Sequence, residues 1–162
     1  MKCLIVSDIH GNSDLLRRLL RLHHDADVVF FLGDGINEVY GVAEFDNEHT
    51  WRCVRGNCDG LAVFKGQHVP RLDYVQFFGR RISFTHGDMY GAKYSLDGLL
   101  DLAKNSESDV VLFGHTHIPL EKYVDGIYLF NPGSLCSDYE GKHHYGLMMI
   151  DDKNILFSHG EI

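Results

Sequence analysis

Residues 110–119 read VVLFGHTHIP, and this stretch decides how the rest of the chain is interpreted. Its first four residues are apolar and predict a short buried strand, which stops at Gly114. Two histidines follow, His115 and His117, with one threonine between them. Imidazoles at positions i and i+2 can be directed at one place, and imidazole is a common metal ligand. The stretch therefore indicates a strand that ends in a loop able to bind metal.

Four other short apolar runs end in a similar way, in the sequences SDIHGN, LGDG, RGNCD and FTHGD. In open α/β sheets, ligands bind in the crevice at the carboxyl ends of the strands. A single aspartate in such a place is usually a turn former, but five such ends in one chain favour a shared site. The candidate metal ligands, which are also the candidate catalytic residues, are Asp8, His10, Asp34, Asn57, His86, His115 and His117.

The order of apolar runs and turn signals predicts an α/β fold, with residues 1–162 forming one domain. Strands alternate with helices in the first half, and hairpins follow in the second. The pattern leaves open whether the strands form one mixed sheet or a pair of sheets covered by helices. The predicted elements are strands at residues 2–8, 28–32, 51–57 and 110–113, helices at 13–24 (with Asn12 or Ser13 as N-cap) and 95–104, a short helix or loop at 36–45, and hairpins turning at 79–80, 125–126 and 152–153.

The composition is that of an ordinary globular protein, with 44% hydrophobic and 23% charged residues. No apolar run has the length of a membrane span. Asp8 interrupts the opening MKCLIVSDIH, which therefore predicts a first strand rather than a signal peptide. The four cysteines form no CxxC pair and two lie in predicted strands, which favours reduced thiols and a cytoplasmic location.

The formal charge of -8 argues against a broad nucleic-acid-binding face and would repel a phosphate group unless a cation lies in the site. The candidate ligands comprise three oxygen donors and four imidazoles, which are too many for one ion. They suit two ions roughly 3.5 to 4 Å apart. Nitrogen and oxygen donors without a thiolate favour Mn, Fe, Ni or Zn over Ca. Two such ions would reverse the sign of the local field, so that an acidic protein could bind phosphate.

The ordered set DxH, GD, GN, THG and GHTH, followed by NPGS at residues 131–134, resembles the calcineurin-like metallophosphoesterase superfamily. The short chain and the GNCD sequence are most similar to its small prokaryotic YfcE-type phosphodiesterase subgroup. The resemblance implies two mixed β-sheets packed as a sandwich and flanked by helices, a four-layer αββα arrangement. It also implies that one ion is held by Asp8, His10 and His117, the other by Asn57, His86 and His115, and that Asp34 bridges them.

The activity implied by the resemblance is a divalent-metal-dependent phosphodiesterase, in which a hydroxide bridging the two ions attacks a small phosphate diester. Two Mn ions are the first expectation, with Ni, Fe or Zn as alternatives, and a homo-oligomer is expected by analogy. Two other functions stay open: a phosphomonoesterase, and a protein-interaction scaffold of the same fold, like the retromer subunit. The complete set of candidate ligands favours the enzyme. A metallo-β-lactamase is disfavoured because the chain has no HxHxDH segment.

The chain departs from many superfamily members at residues 56–59, where GNCD replaces GNH followed by an acid. That histidine is assigned to protonating the leaving group, and Cys58 is a poor substitute, so the general acid stays unassigned and phenolate leaving groups should react best. Asp59 and Asp88 are candidate partners for the ligand histidines. NPGS is expected to have a structural role. The histidines expected to be solvent-exposed are His49, His68, His143, His144 and His159.

Overall fold

The structure is a computed structural model that describes residues 1–137 and 140–162. Three helices lie in these ranges, namely α1 (Ser13–Leu22), α2 (Ile36–Ala43) and α3 (Asp97–Ser106), together with a short 3-10 turn at Asp88–Tyr90. The strands are β1 (Lys2–Val6), β2 (Val28–Phe31), β3 (Thr50–Cys53), β4 (Val63–Phe64), β5 (Gln67–His68), β6 (Leu72–Phe77), β7 (Arg80–Thr85), β8 (Val110–Leu112), β9 (Leu120–Val124), β10 (Ile127–Asn131), β11 (His144–Ile150) and β12 (Ile155–Glu161).

Ten of the strands form two mixed sheets of five strands each. The first has the order β12-β11-β1-β2-β3, in which β1, β2 and β3 are parallel and β11 and β12 are antiparallel to their neighbours. The second has the order β6-β7-β8-β10-β9, with a parallel centre of β7, β8 and β10. Strands β4 and β5 form a separate small hairpin that was not predicted from the sequence.

The two sheets pack face to face, and helices cover their outer faces. Alternate residues of β1 show this arrangement: Leu4 and Val6 belong to the core under α1 and α2, whereas Cys3 and Ile5 belong to the core between the sheets. A third core packs α3 on the second sheet. The expected four-layer αββα sandwich is therefore confirmed.

Several boundaries differ from the sequence prediction. Helix α3 begins two residues after the predicted start, because the Ser95 hydroxyl lies before the helix and accepts the N–H of Asp97. The segment left open as helix or loop is the helix α2, which buries Ile36 and Val39. The turn predicted at residues 79–80 lies one residue earlier, since β7 begins at Arg80. The hairpins at 125–126 and 152–153 are confirmed.

Two histidines expected to be exposed are buried, so that expectation was wrong for them. His49 is 7% exposed and its ring nitrogens contact the Asp46 carboxylate and the His23 carbonyl. His144 is also 7% exposed and lies in β11. In the part of the chain that the structure describes, no helix combines the length and apolar character needed to cross a membrane.

Candidate metal centre

The loops that carry the candidate ligands meet where the two sheets present the carboxyl ends of their parallel strands. Within the first sheet, the Asp8 N–H donates to the Gly33 carbonyl at 2.9 Å, and within the second the Gly114 N–H donates to the His86 carbonyl at 3.0 Å. The His115 N–H donates to Asp8 Oδ2 at 3.0 Å and links the two sheets. The candidate ligands follow β1 (Asp8 and His10), β2 (Asp34), β3 (Asn57), β7 (His86) and β8 (His115 and His117).

Five of the seven candidate ligands converge on one another. Asp8 Oδ1 lies 3.0 Å from His117 Nε2, and 3.9 and 4.0 Å from the Nε2 atoms of His10 and His86. Asp34 Oδ2 lies 3.3 Å from His86 Nε2 and 3.9 Å from His10 Nε2. The two carboxylates are therefore surrounded by imidazole nitrogens, as they would be if all of these atoms pointed at bound cations.

Two buried atoms in this cluster have no hydrogen-bond partner among the described residues: Asp8 Oδ1 and His86 Nε2. The other sides of these groups are satisfied. Asp8 Oδ2 accepts the Ser7 hydroxyl at 2.6 Å, and His86 Nδ1 donates to the Leu32 carbonyl at 2.8 Å, which leaves the lone pair on Nε2. Burying unpaired polar atoms costs about 1–3 kcal/mol each. Carboxylate oxygen and neutral imidazole are donors that divalent transition metals accept, so these residues fit such an ion.

The charges in the cluster perturb its titrating groups. Burial alone would raise the pKa of Asp34, but the His86 ring and the Cys58 N–H outweigh burial and hold this pKa well below its usual range. Burial alone would lower the pKa of His86, but Asp34 and Asp8 outweigh it, so the pKa is raised. The pKa of His115 is lowered by burial and then by the nearby charges of His86 and Lys93. Asp34 is therefore ionised at neutral pH and available as a ligand.

The backbone at the candidate ligands has an unusual conformation. Five of the nine non-glycine residues with positive φ in the described ranges are candidate ligands. L-residues rarely adopt this region, and such strain concentrates at functional sites. These ligands, with their φ angles, are Asp8 (53°), His10 (41°), Asp34 (61°), His115 (67°) and His117 (62°).

The remaining two candidate ligands, His115 and Asn57, make contacts of other kinds. The His115 ring packs against the His86 ring with centroids 4.9 Å apart. Asn57 is exposed, and its amide donates to Cys58 Sγ at 3.3 Å. Asn57 makes no hydrogen bond to another candidate ligand within residues 1–137 and 140–162.

Cys58 lies closer to the cluster than the sequence argument assumed. Its N–H donates to Asp34 Oδ1 at 2.8 Å. Its Sγ also forms, with ligand atoms of His10 and Asp34, a group whose members all lie within 4.8 Å of one another. The hydrogen bond with Asp34, followed by burial, raises the pKa of the Cys58 thiol to about 11. The position of Cys58 directly after the candidate ligand Asn57 could have indicated that it lies in the centre. It was not among the candidate ligands predicted from the sequence, because only nitrogen and oxygen donors were considered.

Asp59 and Asp88 were candidate partners for the ligand histidines, but their hydrogen bonds and ion pairs are with other groups. Asp59 instead accepts four backbone N–H groups, from Asp34, Gly35, Ile36 and Gly56, at 2.8 to 3.0 Å. Its carboxylate thereby fixes two ligand loops and lies at the amino end of α2, where negative charge is favourable. Asp88 forms an ion pair with Arg71.

NPGS has contacts that suit the expected structural role. The Asn131 amide donates to the Gly114 carbonyl at 2.8 Å and to Thr116 Oγ1 at 3.1 Å, within the loop of His115 and His117. The Ser134 hydroxyl donates to the Asp8 carbonyl at 3.0 Å. Asn12 is the N-cap residue of α1, as one of the two predictions had it. Its side chain makes no capping hydrogen bond to the helix and instead donates to the carbonyls of residues 135 and 136.

Comparison with known proteins gives concordant matches. A model of the calcineurin-like phosphoesterase superfamily domain matches residues 1–153. The chain is 31% identical to phosphodiesterase YfcE of Escherichia coli strain K12, over 96% of this chain and 91% of that protein. A Streptococcus pneumoniae protein described as a predicted phosphoesterase has a TM-score of 0.81 at 24% identity, over 98% of this chain and 87% of its own. Zinc-complexed Vps29 of Entamoeba histolytica has a TM-score of 0.77 at 19% identity, over 99% of both chains. At these identities the two structures show the fold alone.

Proposed function

The chain belongs to the calcineurin-like phosphoesterase superfamily, and from this premise we propose that it is a metal-dependent phosphodiesterase that acts at the candidate metal centre. The observation that carries the proposal is the pair of buried atoms, Asp8 Oδ1 and His86 Nε2, that have no hydrogen-bond partner among residues 1–137 and 140–162. A fold that only needed to be stable would pair these atoms or replace them with apolar groups. The match to a protein named phosphodiesterase, over 96% of this chain and 91% of that protein, supports the diester over the monoester.

In this proposal the centre holds two divalent ions, with Mn as the first choice. Asp8, His10 and His117 would hold one ion, and their ligand atoms lie within 4.8 Å of one another. His86, with Asn57 and His115, would hold the other. Asp34 would serve both, because its Oδ2 lies near both His86 and His10. Ions bound there would supply a water of lowered pKa and offset the negative charge on the phosphoryl oxygens.

The residues of the chain then have distinct tasks. Asp34 remains ionised because of its low pKa, and Asp59 fixes the loop on which it lies. Cys58 lies next to Asp34, and in the metal-free protein its thiol has a pKa of about 11 and is a weak acid. Leaving groups that depart without protonation, such as phenolates, should therefore react best.

The test compares bis-p-nitrophenyl phosphate with p-nitrophenyl phosphate as substrates of metal-stripped protein before and after addition of Mn. We expect Mn-dependent cleavage of the diester, and a loss of at least about 100-fold in Asp34→Asn, which retains the side-chain shape but not the charge. Asp152→Asn, an exposed turn residue, is the matched control and should keep full activity.

The other outcomes decide against the proposal in different ways. Turnover of the monoester instead of the diester would retain the centre and change the substrate class. A folded protein that binds Mn, Ni, Fe or Zn without hydrolysing either ester would favour the interaction scaffold. Equal activity of the wild type and Asp34→Asn would place the reaction elsewhere on the molecule.

A further inference from the structure

A cavity of about 420 Å³ lies beside the candidate metal centre. This volume falls within the range of small-molecule pockets, which runs from about 300 to 1,000 Å³. The side chains that line it and bear on the argument are Ala92, Lys93, Leu96, Phe113, Thr116 and Ile118. None of the ligand tasks proposed above uses these residues.

The cavity shares its walls with two ligand loops. Thr116, on its lining, is the residue between His115 and His117. On the other side, Gly87 directly follows His86, and a Cβ atom at Gly87 would lie only 3.2 Å from the Ala92 Cβ. The cavity wall therefore abuts both of the loops that carry histidines from the second sheet.

The lining has the chemistry of a site for a neutral apolar group. Leu96, Phe113 and Ile118 provide apolar surface, and Ile118 is 57% exposed, which is high for an isoleucine. Among the residues that the structure describes, the lining contains no carboxylate and a single charged residue, Lys93. Across residues 1–137 and 140–162, Lys93 forms no ion pair, so its charge is free to meet an anion. A cationic substituent is disfavoured for the same reason.

We propose that this cavity, the lateral pocket, holds an aryl-sized apolar substituent of the phosphoester substrate while Lys93 offsets charge on the phosphate. This inference rests on the proposed function, because it requires the phosphate group to lie at the metal centre. The pocket would then select for bulky apolar esters over methyl esters.

Binding of two phosphonates to the zinc-loaded protein tests the lateral pocket without any turnover. Benzylphosphonate and methylphosphonate share the anionic group and differ in the apolar substituent. We expect calorimetry to show that benzylphosphonate binds about tenfold more tightly, since burying an aryl group in an apolar pocket is worth at least this much. Ile118→Ser and Leu96→Ala should reduce the ratio to about threefold or less and leave the methylphosphonate Kd unchanged.

Two further variants complete the design. Leu156→Ser, which changes an exposed leucine on β12, is the matched control and should keep the wild-type ratio. Lys93→Gln should weaken both phosphonates by the same factor, because it acts on the shared anionic group. In NMR spectra, benzylphosphonate but not methylphosphonate should shift the amide signals of Leu96 and Ile118.

Different results would contradict the lateral pocket and the proposed function. Equal affinity for the two phosphonates, or a ratio that Ile118→Ser and Leu96→Ala leave unchanged, overturns the lateral pocket even if the diester is hydrolysed. Absence of metal-dependent hydrolysis, with the expected ratio intact, overturns the phosphodiesterase and retains the pocket as a binding site.

Discussion

Gly56 lies so close to the Asp34 carboxylate that no side chain fits between them. A Cβ atom at Gly56 would lie 2.1 Å from Asp34 Oδ1, well inside van der Waals contact. The φ angle of Gly56 is not positive, so the glycine is required by the close approach and not by the backbone conformation. The motif RGN therefore has a physical explanation at its glycine: the carboxylate proposed to serve both ions needs the space.

Gly56→Ala should displace the Asp34 carboxylate and reduce the affinity for Mn by about 10- to 100-fold, the range seen when groups that orient ligands are changed. Gly60→Ala provides the matched control, because a Cβ atom there meets no atom within 4 Å and the φ angle is also not positive. Titration calorimetry with Mn measures both variants. Equal Mn affinity for Gly56→Ala and wild type would show that the position of Asp34 does not govern binding.

Asp59 holds the loops around Asp34 and Gly56 through hydrogen bonds with the backbone. Replacing it by alanine removes the acceptor of four N–H groups around Asp34 and Gly56. Asp59→Ala should lower the free energy of unfolding of the metal-free protein by about 2–3 kcal/mol, because the freed N–H groups regain water only in part. Urea unfolding measures this change, and Asp152→Ala is the control. A stability loss below about 0.5 kcal/mol would mean that other groups hold the two loops.

At the scale of elements, the sequence predicted the positions of helices and strands better than it predicted which polar side chains are buried. Helix α1 could be predicted because its leucines recur with helical spacing, and three of them, Leu16, Leu19 and Leu20, pack in the core on the first sheet. Leu22, at the end of the helix, is 59% exposed. His49 and His144 were misjudged because burial of a polar ring depends on partners distant in the sequence or on strand pairing. A local pattern contains neither kind of information.

The connection between α2 and β3 contains a buried set of local hydrogen bonds centred on Asp46. The Asp46 carboxylate, whose side chain is 9% exposed, accepts the Trp51 indole N–H at 2.6 Å, contacts His49 Nδ1 at 2.9 Å and accepts the Glu48 N–H at 3.1 Å. Asp46→Asn replaces one acceptor oxygen with a donor group and should lower the free energy of unfolding by about 1–3 kcal/mol at pH 7.

The same substitution gives a pH-dependence with a defined sign. Burial would raise the pKa of Asp46, but the hydrogen bonds from His49 and Trp51 outweigh it, so the pKa in the folded protein is lowered. A lowered carboxyl pKa contributes stability that is complete above the unfolded pKa of about 3.9 and is lost as the pH falls through the folded value. The stability difference between wild type and Asp46→Asn should therefore shrink below about pH 4. Urea unfolding at pH 7, 5 and 3 measures it, and a difference that is constant with pH would contradict the assignment to Asp46.

At the scale of the whole molecule, the sequence pattern alone did not decide whether the strands form one sheet or two. The resemblance to the superfamily implied two sheets. The physical reason lies in β1, which is apolar on both faces: Leu4 contacts the helices and Ile5 the other sheet. A strand buried on both sides shows no alternation, so its sequence does not say what covers each face. The convergence of the candidate ligands could be predicted, because strand ends define one edge. The contacts of Asn57 with Cys58 could not, since they depend on loop conformation.

The candidate metal centre also joins the two sheets. Asp8 follows β1 of the first sheet, and it accepts the N–H of His115 and approaches His117, both of which follow β8 of the second. Ions bound by Asp8, Asp34 and these histidines would therefore bridge the halves of the sandwich. They would also supply partners for Asp8 Oδ1 and His86 Nε2, the two buried atoms of the centre that have no hydrogen-bond partner in the described part of the chain.

Metal binding should consequently stabilise the entire fold and not only the loops. With Mn at 100 times its Kd, each site that exists only in the folded state adds about 2.7 kcal/mol, which corresponds to a rise in Tm of about 5–10 °C for a chain of this size. Calorimetry of the metal-stripped protein, with and without Mn, measures the rise, and Asp34→Asn should lose most of it. Hydrogen exchange should show added protection in β1 and β8 together, because one cooperative unit spans both sheets. Protection confined to β1 would mean that the ions bind the first sheet alone and that His117 is not a ligand.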